Sequence, residues 1–255
     1  MLVFSCRGIA FGQGRPKICV PLTPASPQEL EGQLAALSAV PYDLVEWRVD
    51  YLPPDPDLLS LYPRIRSAIG EAPLLLTFRS AREGGLRTLD PQAYTALYRN
   101  ILDAGAADLI DLEWEMGPSV WRPLMDEAAR KGVLCVLSYH NFQETPDSEA
   151  LEDLMGRLGE ASPDFAKVAF MPRSARDVTN LLSASEKFSR QCPRTLWITV
   201  SMGDLGKISR LAGSITGSAI TFGSAARASA PGQIPAETLK QMLELLELPQ
   251  NQDLL

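Results

Sequence analysis

One lysine and one histidine stand out as side chains that could do chemistry in this 255-residue sequence. Lys167 lies in the middle of an apolar run, residues 164–170 (DFAKVAF), whereas the other five lysines lie in polar stretches or near element edges. Burial disfavours the charged form of an amine, and a neutral amine is a nucleophile that forms a Schiff base with a carbonyl carbon. The alternative is a structural lysine that pairs with Glu46 or Asp111.

His140 is the only histidine, so zinc sites and iron sites that need two or three imidazoles are excluded. It follows the apolar run VLCVLSY and precedes the run that carries Lys167. Neighbouring strands lie about 4.8 Å apart, and an imidazole beside an imine-forming lysine can move protons at the carbon next to the carbonyl. The pair predicts a class I aldolase, a transaldolase-like enzyme or an imine-assisted dehydratase. The alternative for His140 is a hydrogen-bonded structural group.

The elements that must position these two residues are short apolar runs that begin 23 to 34 residues apart, close to the length of one strand–helix unit. Eight such runs begin at residues 17, 43, 73, 107, 132, 164, 194 and 217. Helix-like stretches separate them, with start signals at Ser26-Pro27 and Asp90-Pro91 and stop signals at Gly105 and Gly132. We find no internal repeat.

Eight strand–helix units predict an α/β protein, a (β/α)8 TIM barrel that forms a single domain over residues 1–255. The segment FSCRGIAFGQG is predicted to form a small N-terminal hairpin that closes the bottom of the barrel. The alternative is a doubly wound open sheet, but neither GxGxxG nor GxxxxGK[ST] follows the first strand.

Charged side chains stand late in several of these runs, where a buried strand should carry none. They are Glu46 and Arg48, Arg79, Asp111 and Glu113, His140, and Lys167. Each one alone is consistent with a satisfied ion pair at a strand end. Together they predict a polar pocket, because the carboxyl ends of barrel strands converge on the mouth where active sites lie.

An anion site and a lid are predicted in the last third of the chain. Arg210 follows the seventh strand, and its guanidinium suits a carboxylate or a phosphate equally well. The segment 223–235 (GSAARASAPGQIP) has the small, flexible composition of a lid that closes over substrate. An ordinary strand–helix connection is the alternative.

Composition narrows the partners and the compartment. The net charge of −7 argues against a nucleic-acid partner, which would need clustered lysine and arginine. No apolar run approaches the roughly 20 residues of a membrane span, and the N-terminal stretch is interrupted by Arg7. The four cysteines form no CxxC pair. We expect reduced cysteines, no metal, no membrane association and a cytoplasmic location.

Six stretches together resemble type I 3-dehydroquinate dehydratase, a lyase of the shikimate pathway. They are EWRVD (46–50), LLLTFRSAREGG (74–85), DLIDLE (108–113), SYHNFQETP (138–146), FAKVAFMP (165–172) and the long block 201–234. The resemblance implies a barrel without metal or cofactor that converts 3-dehydroquinate to 3-dehydroshikimate by syn elimination of water through an imine, in aromatic amino acid (chorismate) biosynthesis. It also implies a homodimer.

Carried over by motif, the resemblance gives a role to each site residue. Lys167 forms the Schiff base, and His140 removes the α-proton and then protonates the departing hydroxyl. Arg210 clamps the substrate carboxylate. Contacts to substrate hydroxyls come from Glu46, Arg48 and Arg79, and from Ser229 and Gln233 on the lid. Supporting positions are Glu83 near Arg79, Asp111 and Glu113 around the lysine and histidine, and Met202, Phe222 and Ala230 around the pocket.

Two alternatives to this function stay open on the residues alone. A class I aldolase or transaldolase shares the lysine but would want a phosphate site after strands seven and eight. A catalytically idle barrel kept as a binding protein would be expected to lack Lys167 or His140, and both are present.

Overall fold

The computed structural model describes residues 2–54, 56–225 and 229–247. Within these ranges the strands are β1 (Phe4–Cys6), β2 (Ile9–Phe11), β3 (Lys17–Leu22), β4 (Leu44–Arg48), β5 (Leu74–Thr77), β6 (Leu109–Glu113), β7 (Leu134–Asn141), β8 (Phe165–Phe170), β9 (Leu196–Ser201), β10 (Ile220–Ser224) and β11 (Ile234–Pro235). The helices are α1 (Pro27–Leu37), α2 (Leu58–Ile69), α3 (Pro91–Ala104), α4 (Pro118–Arg130), α5 (Ser148–Glu160), α6 (Ala175–Gln191), α7 (Gly213–Thr216) and α8 (Ala236–Leu245). The predicted domain, 1–255, extends beyond the described residues and stays a prediction.

The helix ends lie where the capping residues predict them. The side chains of Ser26 and Asp90 accept hydrogen bonds from the first turns of α1 and α3, each with proline at the start of the helix. Gly105 ends α3 in the left-handed conformation, and Gly132 after α4 also has positive φ. Local sequence therefore determines where α1 and α3 begin and where α3 and α4 end.

Strands β3 to β10 close into a barrel. Consecutive strands from β3 to β9 pair in parallel, and β10 pairs with β3. The last gap is closed by a parallel bridge between Trp197 and Ser218 and by a 2.7 Å hydrogen bond from Ala219 N to Trp197 O. The (β/α)8 prediction is confirmed, and an open doubly wound sheet is excluded because the sheet closes on itself.

The predicted N-terminal hairpin is confirmed. Strands β1 and β2 pair antiparallel, with Phe4 opposite Phe11. Phe11 is fully buried, and its ring centroid lies 5.3 Å from that of Phe165 inside the barrel. The hairpin thus supplies the apolar side chains that keep water out of the amino-terminal end of the barrel.

On five strands of the barrel, the inward side chains change from apolar in one layer to polar in the next layer toward the carboxyl end. The successive inward pairs are Leu44 and Glu46, Leu75 and Thr77, Leu109 and Asp111, Val136 and Ser138, and Phe165 and Lys167. The outward side chains between them pack against the helices as a second core. The apolar floor and the helices hold the strands, so the next layer can carry charges.

A short repeat that sequence analysis does not find fixes three of these strands. Asp43, Asp108 and Asp164 precede β4, β6 and β8, and each accepts the backbone N–H of the preceding strand, at 2.6, 2.9 and 2.8 Å. The residues three positions further along are Glu46, Asp111 and Lys167. Each aspartate therefore fixes the strand register that brings one charged group into the site.

Candidate active site

A cavity opens at the carboxyl end of the barrel, where the sequence predicts a pocket. Its lining includes twelve of the predicted residues: Glu46, Arg48, Arg79, Glu83, His140, Lys167, Met202, Arg210, Phe222, Ser229, Ala230 and Gln233. The other two, Asp111 and Glu113, lie behind this lining. One cavity thus brings together residues that lie up to 187 positions apart in the chain (46 to 233).

Lys167 is buried in the centre of β8, with 6% of its surface exposed. Its Nζ lies 3.5 Å from Asp111 Oδ2, 4.0 Å from Glu46 Oε1 and 4.5 Å from the centre of the Phe222 ring. Both carboxylate distances exceed the 2.7–2.9 Å of a strong charged hydrogen bond. The ion pairs of Lys167 with Asp111 and Glu46, which the sequence offers as the alternative, are therefore present but long. Lys167 also lines the cavity.

The two carboxylates beside Lys167 are held from below by hydroxyl groups. Thr77 Oγ1 donates to Glu46 Oε1 at 2.9 Å, and Ser138 Oγ donates to Asp111 Oδ1 at 2.6 Å. Although burial opposes its ionisation, the positive charges of Arg79 and Lys167 hold the pKa of Asp111 below its usual range. Because Oδ1 is occupied, Oδ2 of Asp111 is left to face Lys167.

Arg79 is a buried hub of the site. Its Nη1 donates to Glu83, Glu113 and Ser138 at 3.2, 3.0 and 3.0 Å, and its Nη2 donates to Asp111 at 2.7 Å. Burial alone would lower the pKa of Arg79, but these carboxylates hold it well above the usual value. Both terminal nitrogens have protein acceptors, so Arg79 organises carboxylates in addition to bordering the cavity.

Glu113 lies elsewhere than the sequence analysis expects. Its Oε1 accepts from Arg79 and from the backbone N–H of Ser80 at 2.7 Å, and it makes no hydrogen bond to Lys167 or His140 among the described residues. Glu113 is one inward position beyond Asp111 on β6, which places it beside the segment after β5. Glu113 therefore supports Arg79, and of the two carboxylates on β6 it is Asp111 that reaches the lysine.

His140, at the end of β7, is held by Glu83. The Oε2 atom of Glu83 lies 2.8 Å from His140 Nδ1 and accepts the backbone N–H of His140 at 3.1 Å. Since Arg79 also donates to this oxygen, it acts as an acceptor, and the contacts place the imidazole proton on Nδ1. Nε2 has no partner among the described residues, so it is the ring nitrogen left for a ligand in the cavity.

Burial and the positive charges of Arg79, Lys167 and Arg48 hold the pKa of His140 well below its usual value. The imidazole is therefore neutral at pH 7, which is the state a general base needs. The contact between Glu83 and His140 is the link that sequence analysis misses, since 57 residues separate the two. A separation of this length in the sequence does not indicate that two side chains touch.

A titration of the single histidine tests this environment. We expect the one imidazole NMR signal of the free protein to keep its neutral-form chemical shift from pH 8 down through pH 6.5. Below about pH 6.5 the unfolded chain binds a proton that the folded chain does not, so acid should lower stability through this group. The difference in unfolding free energy between wild type and His140→Asn at pH 5 and pH 7 measures that contribution. A midpoint at or above 6.5 would contradict the neutral imidazole.

Arg210 has no carboxylate partner among the described residues. It lies in a 3-10 turn after β9 with 2% of its surface exposed. Within the described residues the hydrogen bonds that it donates go to backbone carbonyls, at 2.9 Å to Pro231 and 3.5 Å to Phe222. Its Nε is buried and has no hydrogen-bond partner among the described residues. Burial lowers the pKa of Arg210 to about 10, which still leaves it charged at neutral pH. A buried cation with unused donors is the mark of an anion site.

The described part of the predicted lid is fixed over the cavity. Ser229 and Gln233 hydrogen bond to each other through a backbone N–H at 2.7 Å and through their side chains at 3.0 Å. Gly203 N donates to Pro231 O at 3.2 Å, and a Cβ on Gly232 would lie 2.2 Å from Gly203 O. This close approach requires glycine. Residues 226–228 of the predicted lid lie outside the described residues.

One wall of the cavity is missed by the sequence analysis. Phe142 borders the cavity two residues beyond His140 and stays 37% exposed. Gly84 lets its ring approach, because a Cβ at that position would lie 2.3 Å from the ring. Alternate residues of β7 face the inside of the barrel. Continuing this alternation two residues beyond His140 could have identified Phe142.

The expectations about membrane association, metal binding and cysteine pairing can be compared with the described part of the chain. Within it, no helix is both long and apolar enough to cross a membrane. No group of three or more metal-ligating side chains lies together there. Cys6, Cys19, Cys135 and Cys192 are all free thiols.

Comparison with known proteins agrees with this geometry. A family model described as type I 3-dehydroquinase matches residues 18–249. The 3-dehydroquinate dehydratase of Syntrophotalea carbinolica is 41% identical over 251 residues, which cover 97% of this chain and 99% of that protein. The type I 3-dehydroquinate dehydratase of Clostridium difficile, solved with covalently modified comenic acid, has a TM-score of 0.91 at 37% identity and covers 96% of this chain and 98% of that one. The 3-dehydroquinate dehydratase of Geobacillus kaustophilus also has a TM-score of 0.91, at 35% identity over 96% of both chains.

Proposed function

The chain belongs to the type I 3-dehydroquinase family, and on that premise we propose that it removes water from 3-dehydroquinate through an imine on Lys167, with His140 as the proton carrier. The enzymatic activity, 3-dehydroquinate dehydration in the shikimate pathway, follows from the family. The course of the reaction and the role of each residue are the proposal.

One observation carries the proposal: a single cavity holds a loosely paired lysine, a neutral imidazole and a buried arginine that has no carboxylate partner within the described residues. The lysine suits a ketone, the imidazole suits an acidic C–H, and the arginine suits a carboxylate. 3-Dehydroquinate carries all three groups on one ring. The covalently modified ligand of the Clostridium difficile relative supports covalent chemistry in this fold.

The reaction begins at the ketone. The Lys167 amine attacks the carbonyl carbon, and loss of one water from the resulting carbinolamine gives a protonated imine. The carboxylates of Asp111 and Glu46 lie on the Lys167 side of the cavity, where they stabilise the positive nitrogen. The imine nitrogen then serves as the acceptor for the electrons of the next step, so we propose that no metal or other cofactor is needed.

Elimination follows at the two neighbouring carbons. His140 Nε2 takes the proton next to the imine carbon, and the C–H electrons move toward the imine nitrogen to give an enamine. When those electrons return, the hydroxyl group leaves, and the proton held by His140 converts it to water. Water then hydrolyses the product imine and frees Lys167. The net change is the loss of one water.

Substrate orientation is assigned to the arginines and the lid. Arg210 binds the ring carboxylate through its unused donors, and Ser229 and Gln233 contact hydroxyls from the lid. Arg48 and Glu46 face the cavity from β4. We further propose a cytoplasmic enzyme that acts as a homodimer without nucleic-acid or membrane partners.

The direct test is to supply 3-dehydroquinate and follow the ultraviolet absorbance of the conjugated product. Appearance of one conjugated product per substrate consumed supports the proposal. Turnover of a phosphorylated sugar in place of 3-dehydroquinate would favour the aldolase alternative, and no turnover of either would favour an idle barrel.

Replacing Arg210 by alanine tests the anion site. Removing its charged hydrogen bonds, worth about 1.5–3 kcal/mol each, should raise KM by about ten- to a hundredfold or more. The turnover number should fall less, because Arg210 binds the carboxylate in the ground state as well as in the transition state.

Steady-state kinetics on 3-dehydroquinate measure this split. Arg190→Ala is the control, because Arg190 pairs with Glu186 on the outer helix α6 and should leave KM unchanged. An unchanged KM in Arg210→Ala would remove the carboxylate role from Arg210.

A further inference from the structure

The turn after β4 holds one arginine of the site in a fixed orientation. Val49–Tyr51 forms a 3-10 turn that brings Asp50 back against Arg48, two residues earlier. The two Asp50 oxygens accept from Arg48 Nε at 2.8 Å and from Nη2 at 2.9 Å. The Tyr51 ring centre lies 5.1 Å from the guanidinium carbon. Residues 48–51 thus form a local clamp on the guanidinium of Arg48.

The clamp determines which guanidinium nitrogen of Arg48 is left to contact a ligand in the cavity. With Nε and Nη2 occupied by Asp50, the nitrogen without a partner among the described residues is Nη1. Arg48 lines the cavity, whereas Asp50 is fully buried and is not among the lining residues. A two-point contact fixes the plane of the guanidinium as well as its position.

We propose that Asp50 is a positioning residue that aims Nη1 of Arg48 at a substrate hydroxyl. This proposal rests on the proposed function, since it assumes that Arg48 contacts the substrate. It adds a residue that touches no substrate itself and acts only through the arginine.

The surroundings of Asp50 support this role. Although burial disfavours the charge of Arg48, the Asp50 carboxylate holds the pKa of Arg48 above its usual value. Arg210 is also buried, but no carboxylate in the described part of the chain pairs with it, and burial lowers its pKa instead. Asp50 further accepts long hydrogen bonds from the backbone of Arg79 at 3.3 Å and Leu86 at 3.4 Å. These bonds hold Asp50 against the segment that carries Glu83, so its carboxylate is fixed before substrate arrives.

Asp153 offers a control for the same substitution on the outer helix α5. Its Oδ2 lies 3.1 Å from Nη2 of Arg157, one helical turn later. Like the pair of Asp50 and Arg48, this pair joins residues close in sequence, but neither residue lines the cavity. Only loss of the Asp50 pair should change the kinetics.

The experiment compares Asp50→Asn with Asp153→Asn in steady-state kinetics on 3-dehydroquinate. We expect Asp50→Asn to raise KM about tenfold or more with a smaller change in kcat, because an aimed charged hydrogen bond to substrate is lost. Asp153→Asn should leave KM unchanged. If Asp50→Asn does not fold, Asp50→Glu keeps the charge but displaces the carboxylate by one methylene, and it should also raise KM.

A double-mutant cycle shows whether Asp50 acts through Arg48. Lysine cannot form the two-point contact, so Arg48→Lys should raise KM, and adding Asp50→Asn to it should change KM little further. Additive effects of the two substitutions, or a wild-type KM in Asp50→Asn, would overturn the proposal.

Borohydride trapping separates this outcome from a failure of the proposed function. The Asp50→Asn protein should still form a borohydride-stable adduct on Lys167 at saturating substrate. If wild type forms no adduct, the imine mechanism fails. If wild type forms the adduct and Asp50→Asn keeps its KM, only the positioning role fails.

Discussion

Replacing Lys167 by methionine is expected to reduce turnover of 3-dehydroquinate by at least about four orders of magnitude, the scale of loss when a covalent nucleophile is removed. Methionine keeps the length and apolar stem of the side chain but lacks the amine that attacks the ketone. In wild type, borohydride added during turnover should reduce the imine to a stable secondary amine. Peptide mass spectrometry should locate the added mass on Lys167, and the variant should show none.

Lys131→Met is the matched control for this substitution. Lys131 follows α4 and pairs with Asp103 on the outside of the barrel, at 2.9 Å. The Lys131→Met variant should keep wild-type turnover and should still form the adduct on Lys167. An adduct on a lysine other than Lys167, or no adduct in an active wild type, would contradict the mechanism. Circular dichroism of Lys167→Met checks the fold, because the variant leaves Asp111 and Glu46 without the lysine charge.

Replacing His140 by alanine should leave imine formation possible but slow turnover by several orders of magnitude. A positioned acid or base contributes about 10²- to 10⁴-fold to one proton transfer, and His140 is assigned both the removal of the α-proton and the protonation of the leaving hydroxyl. The chain has no other histidine to replace it. Turnover is measured by product absorbance, and the imine is measured by borohydride trapping on Lys167.

Glu83→Gln helps to interpret that result. The amide keeps the shape of Glu83 but removes the carboxylate that accepts from His140 Nδ1 and from its backbone N–H. We expect an intermediate loss of turnover, smaller than in His140→Ala, because the imidazole remains but loses its orientation and tautomer. Near-normal turnover in His140→Ala would refute the proton-carrier role.

The two variants separate the halves of the mechanism. Lys167→Met should abolish the adduct and the turnover, whereas His140→Ala should keep the adduct and lose the turnover. A protein that used the lysine only as an ion-pair partner of Asp111 and Glu46 would show neither pattern. The two variants therefore test whether Lys167, whose contacts to Asp111 and Glu46 are as long as 3.5 and 4.0 Å, acts as a nucleophile.

The barrel could be predicted from the sequence because its signals are local. Apolar runs at intervals of one strand–helix unit predict buried parallel strands, and the caps at Ser26 and Asp90 mark where helices begin. Lys167 lies inside one apolar run, and His140 follows the run before it. Because consecutive runs form neighbouring strands, the two residues are also indicated to share a site. These inferences depend only on spacing along one or two elements.

The tertiary structure decided which side chains touch within that site. It places Glu83 against His140, moves Glu113 from the lysine to Arg79 and Ser80, and leaves Arg210 without a carboxylate among the described residues. These contacts join residues on different strands and loops, and they depend on the strand register around a closed barrel. The sequence alone determined the residue types, their phase on each strand and the end of the barrel that they occupy. Hydrogen bonds form only within about 3 Å, so their partners were decided when the barrel closed and brought distant segments to that range.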